Sequence, residues 1–317
     1  MKLSKIIGVL KLKYYKHVHE LIGNTPLVEI TQFELPDGVR LFAKLEFLNP
    51  GGSVKDRLGK KLLQTALEKG YISAGGTLIE PTAGNTGIGL ALAAVGTGIN
   101  VMFVVPEKFS VEKQELMRAL GATVVNTPTK DGMTGAIAKT KELLNEIPHS
   151  YCPQQFENPA NPETYFETLG PEIWHALDGQ VNVFVAGAGS GGTFTGTANY
   201  LKEQNPAIKT VIVEPEGSIL NGGESRSHRT EGIGMEFIPP FVDTDLFDAI
   251  HTISDNAAFT RVCELSQKCG LLVGSSSGSA FEASLREAQA AEPGTNIVTI
   301  FPDSSERYLS SGIYKKQ

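Results

Sequence analysis

Cysteine is too scarce and too poorly spaced in this chain to organise a disulfide framework or a zinc site. Cys152, Cys263 and Cys269 are odd in number and form no Cys-x-x-Cys pair. That usage fits a reducing, cytoplasmic compartment. Positive charge is also short: a net charge of −7 argues against nucleic acid as a partner, since phosphate binding needs a basic surface. No apolar run can span a bilayer. In the basic segment 1–19 the run Ile6 to Leu10 is short even for a signal-peptide core, and no small-residue cleavage site follows. That segment reads as a surface arm or as the product of an upstream start codon. His149, His175, His228 and His251 have no triad spacing, and His17 and His19 lie in the arm. No metal site is expected. Neither short-period repeats nor low-complexity tracts occur. What remains is an ordinary soluble composition, 41% hydrophobic and 20% charged over 317 residues, enough for two domains or one large α/β unit.

Strand and helix patterns alternate almost throughout. Strands are predicted at Leu41–Phe47, Thr77–Glu80, Asn100–Val105 and Thr123–Asn126, with helices at Leu58–Lys69, Thr86–Val95, Val111–Leu120 and Met133–Glu146. The second half repeats the style, with strands at Val181–Ala186, Thr210–Glu214 and Asn296–Phe301. Its helices are predicted at Thr193–Gln204, Ala257–Lys268 and Gly278–Ala291, after an irregular stretch from Pro215 to Asp245. Such alternation means parallel sheets covered by helices on both faces. The Pro/Asn-rich stretch Phe156 to Pro162 reads as the crossing between domains.

Three loops fall between a strand and the next helix, the edge of a parallel sheet where ligands bind. Pro81-Thr82-Ala83-Gly84-Asn85-Thr86-Gly87 is either an anion seat at a helix start or a tight packing turn. Gly187-Ala188-Gly189-Ser190-Gly191-Gly192-Thr193 has the glycine density of a phosphate cradle. It also satisfies G-x-G-x-x-G, and Glu214 ends the next strand, so an NAD-dependent oxidoreductase is a competing reading. Gly274-Ser275-Ser276-Ser277-Gly278-Ser279 can cap a helix through Ser277 or offer neutral hydroxyls to a ring nitrogen. Ser53-Val54-Lys55-Asp56-Arg57 places a lysine where a helix begins. A helix start disfavours an ammonium, and a neutral lysine amine is a nucleophile that forms Schiff bases. The plainer alternative is an approximate capping box of Ser53 and Asp56, with Lys55 solvated.

Read together, these residues resemble the cysteine synthase/cystathionine β-synthase family of pyridoxal-phosphate (PLP) enzymes. Ile22-Gly23-Asn24-Thr25-Pro26-Leu27, Ser53 to Arg57, Gly84 to Gly87, Gln154 to Pro162 and Gly189 to Thr193 occur in family order, and the likeness runs from about Leu21 to Tyr308. The resemblance implies a fold type II PLP enzyme: an α/β chain of two parallel-sheet, three-layer domains with the cofactor in the cleft between them. It implies an N-terminal arm at 1–19, a smaller mobile domain at 50–158, a larger domain from 20–49 and 159–317, and a homodimer. Lys55 would hold PLP as a Schiff base and then act as acid and base at the substrate Cα. Asn85 would bond the ring hydroxyl oxygen, Gly189, Ser190, Gly191, Gly192 and Thr193 the phosphate, and Ser276 the pyridine nitrogen. Thr82, Ala83, Gly84, Thr86 and Gln155 would line the substrate site, several gripping the carboxylate. The implied chemistry is β-replacement through an aminoacrylate.

Within the family, Ala83 stands where cysteine synthases carry serine. The stretches Glu214 to Leu220 and Glu231 to Pro239 look more like cystathionine β-synthases. Homocysteine is therefore the expected acceptor, with Glu236 pairing its ammonium, and O-acetylserine the expected donor over serine, as in bacterial O-acetylserine-dependent members. The alternative is a cysteine synthase using sulfide. A catalytically silent binding protein fits an intact Lys55, Asn85 and Ser276 poorly. No haem ligation is expected, since no cysteine precedes Cys152, and with the chain ending at Gln317 no C-terminal regulatory domain is expected.

Overall fold

The computed structural model describes residues 14–82, 84–107 and 109–315. In chain order its elements open with β1 (Leu27–Glu29), β2 (Arg40–Leu45), α1 (Lys55–Glu68), β3 (Thr77–Pro81) and α2 (Asn85–Ala94). Then come β4 (Asn100–Pro106), α3 (Val111–Ala119), β5 (Thr123–Thr127), α4 (Gly132–Glu146), β6 (Ser150–Tyr151), α5 (Ala160–Glu167) and α6 (Leu169–Ala176). The remainder is β7 (Val183–Gly187), α7 (Gly192–Gln204), β8 (Lys209–Pro215), β9 (Ala249–Ile253), α8 (Asp255–Glu264), α9 (Ser275–Gln289) and β10 (Asn296–Phe301).

Two sheets result. One has the order β5-β4-β3-β6 and is wholly parallel; the other runs β1-β2-β10-β7-β8-β9. The larger sheet is parallel except at its edge, where β1 pairs antiparallel with β2, Val28 opposite Ala43. Period-two alternation decides which side chain meets which helix layer. In β7, Phe184 and Ala186 enter the cluster holding Phe194 and Leu201 of α7, whereas Val183 and Val185 enter the one holding Val262 of α8 and Phe281 of α9. The smaller sheet behaves alike: Ile79 and Val104 pack on Ala136 and Leu143 of α4, Leu78 and Phe103 on the α1–α2 side. The first of these clusters is shared by both sheets, because α1 packs on both α2 and α5.

Small residues let α1 and α2 pack closely. A Cβ on Gly59 would lie 2.6 Å from Leu90 N, and one on Gly89 would lie 2.8 Å from the Lys55 carbonyl carbon. Helix α1 begins at Lys55, three residues before the predicted Leu58, because the turn with Gly52 at φ +78° delivers the chain directly into helical geometry. The capping-box alternative is not realised. Ser53 Oγ accepts from Lys55 N at 3.2 Å, while Asp56 turns back to Gly51 N. Helices α5 and α6 and strand β9 were not predicted. The stretch read as a crossing enters α5 at Ala160, and Pro162 and Pro171 fall in the first turns of α5 and α6, where a missing N–H breaks no helical bond.

Candidate active site

The carboxyl ends of β3, β7 and β10 open onto a cavity of about 370 Å³ between the two sheets. Lys55, Thr82, Gly84, Asn85, Thr86, Gln155, Gly189, Ser190, Gly191, Thr193, Glu236 and Ser276 all line it. Gly192 lies just behind, where a Cβ would run into the Asn161 side chain. Ala83 lies outside the described residues.

Lys55 Nζ sits 3.4 Å from Thr193 Oγ1 and 3.4 Å from the hydroxyl of Tyr165, a fully buried residue of α5. The amine thus touches the loop that opens α7. The first amides of a helix have no intrahelical acceptor, and the loop from Gly187 to Thr193 carries no acidic side chain. Gly191, at φ +85°, turns the chain into α7. Ser190 Oγ accepts from Asn161 Nδ2 at 3.1 Å, and the same nitrogen donates to Gln155 O at 2.7 Å. Gln155 Oε1 in turn accepts from Thr86 Oγ1 at 2.8 Å. One chain of hydrogen bonds therefore joins the Thr82–Thr86 loop to the Gly189–Thr193 loop.

Glu80 anchors that chain from below. Its carboxylate, fully buried at the end of β3, accepts from the N–H groups of Gln154 and Gln155, both at 3.0 Å, and from the Cys152 thiol. Burial pushes Glu80 up to about 7, against the pull of those N–H groups and the thiol. Burial and the Glu80 charge push the Cys152 thiol up as well, so it is poorly suited to act as a thiolate.

Asn85 is held between two charged groups. Arg307 Nη1 donates to its Oδ1, and its Nδ2 donates to Asp303 Oδ2 at 2.6 Å. Lys113 of α3 reaches Glu231 at 2.8 Å, and Phe156 meets Phe237 edge-on at 5.5 Å, so side chains from both sheets' connections touch beside Glu236. Glu236 itself is exposed on the cavity rim. Ser276 is buried at the start of α9. Ser277 does not cap the helix: Gly274 occupies the cap position, and Ser277 Oγ is buried without a partner among the described residues.

Glu214, which supported the dinucleotide reading, is spent on its own turn. Its oxygens accept from Leu220 N, Asn221 N and the Thr252 hydroxyl at 2.8 to 3.1 Å. Tyr165, Asp303 and Arg307 carry no site role in the sequence, and Asn161 enters there only within the Gln154 to Pro162 motif. Pro302-Asp303 was findable, because it follows a buried strand at the same carboxyl edge as the other loops. Tyr165 had no such signal, lying in an unassigned helix.

The sequence pattern of the family described as "Pyridoxal-phosphate dependent enzyme" matches residues 18–303. The chain is 60% identical over 298 residues to the O-acetylserine dependent cystathionine beta-synthase of Bacillus subtilis, covering 94% of this chain and 97% of that protein. It is 56% identical over 299 residues to a cysteine synthase of Helicobacter pylori, covering 94% and 98%. A crystal structure of the Helicobacter pylori O-acetylserine dependent cystathionine beta-synthase superposes with a TM-score of 0.92 at 55% identity, covering 96% of this chain and 100% of that one.

Proposed function

The chain belongs to the pyridoxal-phosphate-dependent enzyme family, and on that premise we propose that it joins O-acetyl-L-serine to L-homocysteine, giving L-cystathionine and acetate. The broader activity, PLP-dependent β-replacement, is common ground among its relatives. The choice of acceptor rests on one observation: a carboxylate, Glu236, stands on the cavity rim where an amino-acid nucleophile has an ammonium to place and sulfide has none.

The residues present fit the cofactor. An amine, Lys55, lies 3.4 Å from Thr193 in a loop that offers orphan helix amides and no negative charge, a seat suited to a phosphate. Bound there, PLP supplies the electron sink that lets a β-substituent leave an amino acid and a nucleophile take its place. Lys55 would hold the cofactor and, once the donor is bound, remove and return the proton at its Cα. The Gly189–Thr193 loop takes the phosphate and Asn85 the ring oxygen. Ser276 would serve the ring nitrogen, where a hydroxyl does not force protonation as a carboxylate would. Thr82, Gly84, Thr86 and Gln155 would take the donor carboxylate. The bond from Cβ to the acetyl oxygen would break and acetate leave, and a bond from Cβ to the thiol sulfur would form as the thiol gives its proton to solvent. Residues 50–158 are taken as the smaller unit that closes over the donor, and the enzyme as a homodimer.

Borohydride reduction followed by peptide mapping should trap the cofactor on Lys55. Steady-state assays should give a higher kcat/KM for homocysteine than for sulfide with O-acetylserine as donor. Glu236→Ala should raise the homocysteine KM about fivefold or more, the size of one charge pair, and leave sulfide use unchanged. A strong preference for sulfide with no effect of that substitution would make the enzyme a cysteine synthase instead.

A further inference from the structure

The short segment after β10 is bonded to three of the loops that bear proposed cofactor ligands. Pro302 O accepts from Val54 N at 2.9 Å, and Ser53 bridges to Asp303, immediately before Lys55. Gly274 N donates to Asp303 O at 3.0 Å, and Val273 bridges to Ser304, immediately before Ser275 and Ser276. The third link runs through side chains. Arg307, itself buried, donates through Nη2 to Gly51 O in the turn before Lys55 and through Nη1 to Asn85 Oδ1. Asp303 Oδ2 accepts from Asn85 Nδ2 and from the Tyr308 hydroxyl.

An asparagine amide can present its oxygen or its nitrogen in either direction, and only its partners decide which. Here one partner, a guanidinium, can only donate, and the other, a carboxylate with a hydroxyl already donating to it, accepts. The flip is therefore set, and of the two N–H groups on Nδ2 only one is used by Asp303. We propose that Arg307, working with Asp303, is a positioning residue for the cofactor: it locks the Asn85 amide so that its second N–H is kept for the ring oxygen, and it ties that amide to the turn that delivers Lys55. This rests on the role proposed above for Asn85. Without Arg307 the amide oxygen loses its donor and its tie to the turn before Lys55, and only Asp303 is left to hold the amide's direction.

The test compares Asn85→Ala, Arg307→Ala, Arg307→Lys and the double variant Asn85→Ala/Arg307→Ala. Two readouts apart from activity serve: the PLP dissociation constant of the apoprotein, and the position of the visible absorption band after reconstitution. Arg307→Ala should weaken PLP binding about tenfold or more, the scale of one charge-assisted hydrogen bond, and move the band as Asn85→Ala does. The double variant should be no worse than Asn85→Ala alone, since both act through one contact. Arg307→Lys, which keeps the charge but loses the two-pronged fork, should fall between wild type and Arg307→Ala, and it decides the matter if Arg307→Ala does not fold. Wild-type affinity and band in the Arg307 variants, or additive losses in the double variant, would overturn the proposal. Wild-type behaviour in Asn85→Ala would overturn it together with the Asn85 assignment, while borohydride trapping on Lys55 would still stand.

Discussion

Two charge clusters flank the first turn of α1, and they differ in how completely their members are paired. Behind the helix, Arg57 grips Glu46 through Nε at 2.7 Å and Nη2 at 2.9 Å, and reaches Glu172 at 2.6 Å, where Lys44 adds a second cation at 2.7 Å. Burial alone would raise Glu172, yet Arg57 and Lys44 hold it down at about 2, and Glu46 is likewise lowered. On the other side, where Asp303 lines the cavity, Asp56 and Asp303 each keep one buried oxygen without a partner among the described residues. Burial pushes Asp56 up to about 7 against the Gly51 N–H and the Arg307 charge. A paired cluster fixes geometry and has nothing left to offer a ligand. An incompletely paired one keeps acceptors that a ligand or water can use.

Exchanging the two sides should therefore exchange the phenotype. Lys55→Ala, at the cavity side, is expected to lower kcat/KM by about a thousandfold or more, since both the covalent attachment and the proton transfer vanish. Its urea midpoint should stay near that of the wild-type apoprotein. Arg57→Ala, two residues along the same helix, should do the reverse to stability. It strands Glu46 in the core and should lower the unfolding free energy by about 3–5 kcal/mol, read from urea denaturation. An Arg57→Ala protein as stable as wild type would erase the distinction between the clusters.

Their pH responses should also oppose each other. Glu172 has a folded pKa near 2, below its ordinary 4.5. Its contribution to stability is therefore present above pH 4.5 and drains away as the pH falls toward 2. Glu172→Gln should destabilise by about 2 kcal/mol at pH 7, a figure reduced for its partial exposure, with the gap to wild type closing in acid. A gap that stays constant down to pH 3 would mean that Glu172 is held by packing rather than by its cations.

The same contrast explains what sequence reading reached. Strand β10 was legible to the residue because all six of its side chains are buried. Ile297, Val298, Ile300 and Phe301, interrupted only by Thr299, form a β-rich apolar stretch that stops at Pro302. The glycine-rich loops were legible because close backbone approach leaves a compositional mark. Strand β9 is an edge strand, half-buried over four of its five residues, and shows no such run. Helix α5 hid behind Pro159 and Pro162, which read as breakers although both sit where a helix start accepts them. Arg57 announced itself only as a neighbour of Lys55, since its partners Glu46 and Glu172 are 11 and 115 residues away in sequence. Asp303 was reachable only by following β10 to its carboxyl edge, and Arg307 left no mark, because a side chain that bonds to another side chain needs neither glycine nor a fixed spacing from it.

Asp56 offers the smallest and most discriminating change. Its folded pKa, about 7, lies above the ordinary 3.8, so the folded protein holds a proton there that the unfolded chain has lost. The sign is opposite to that of Glu172: its contribution is complete below pH 3.8 and is lost as the pH rises through 7. An asparagine carries a carbonyl oxygen for the Gly51 N–H and no charge. Asp56→Asn should therefore shift stability by less than about 1 kcal/mol at pH 5, where the buried acid is already neutral in the folded state. Above pH 7 it should become more stable than wild type, because the wild-type chain must then either bury an unpaired charge or hold a proton against the solvent. Paired urea titrations at pH 5 and pH 8 read the crossing directly. A cost that is equal at both values would show that Asp56 is ionised throughout, balanced by Arg307. The cavity side would then be as fully paired as the side behind the helix.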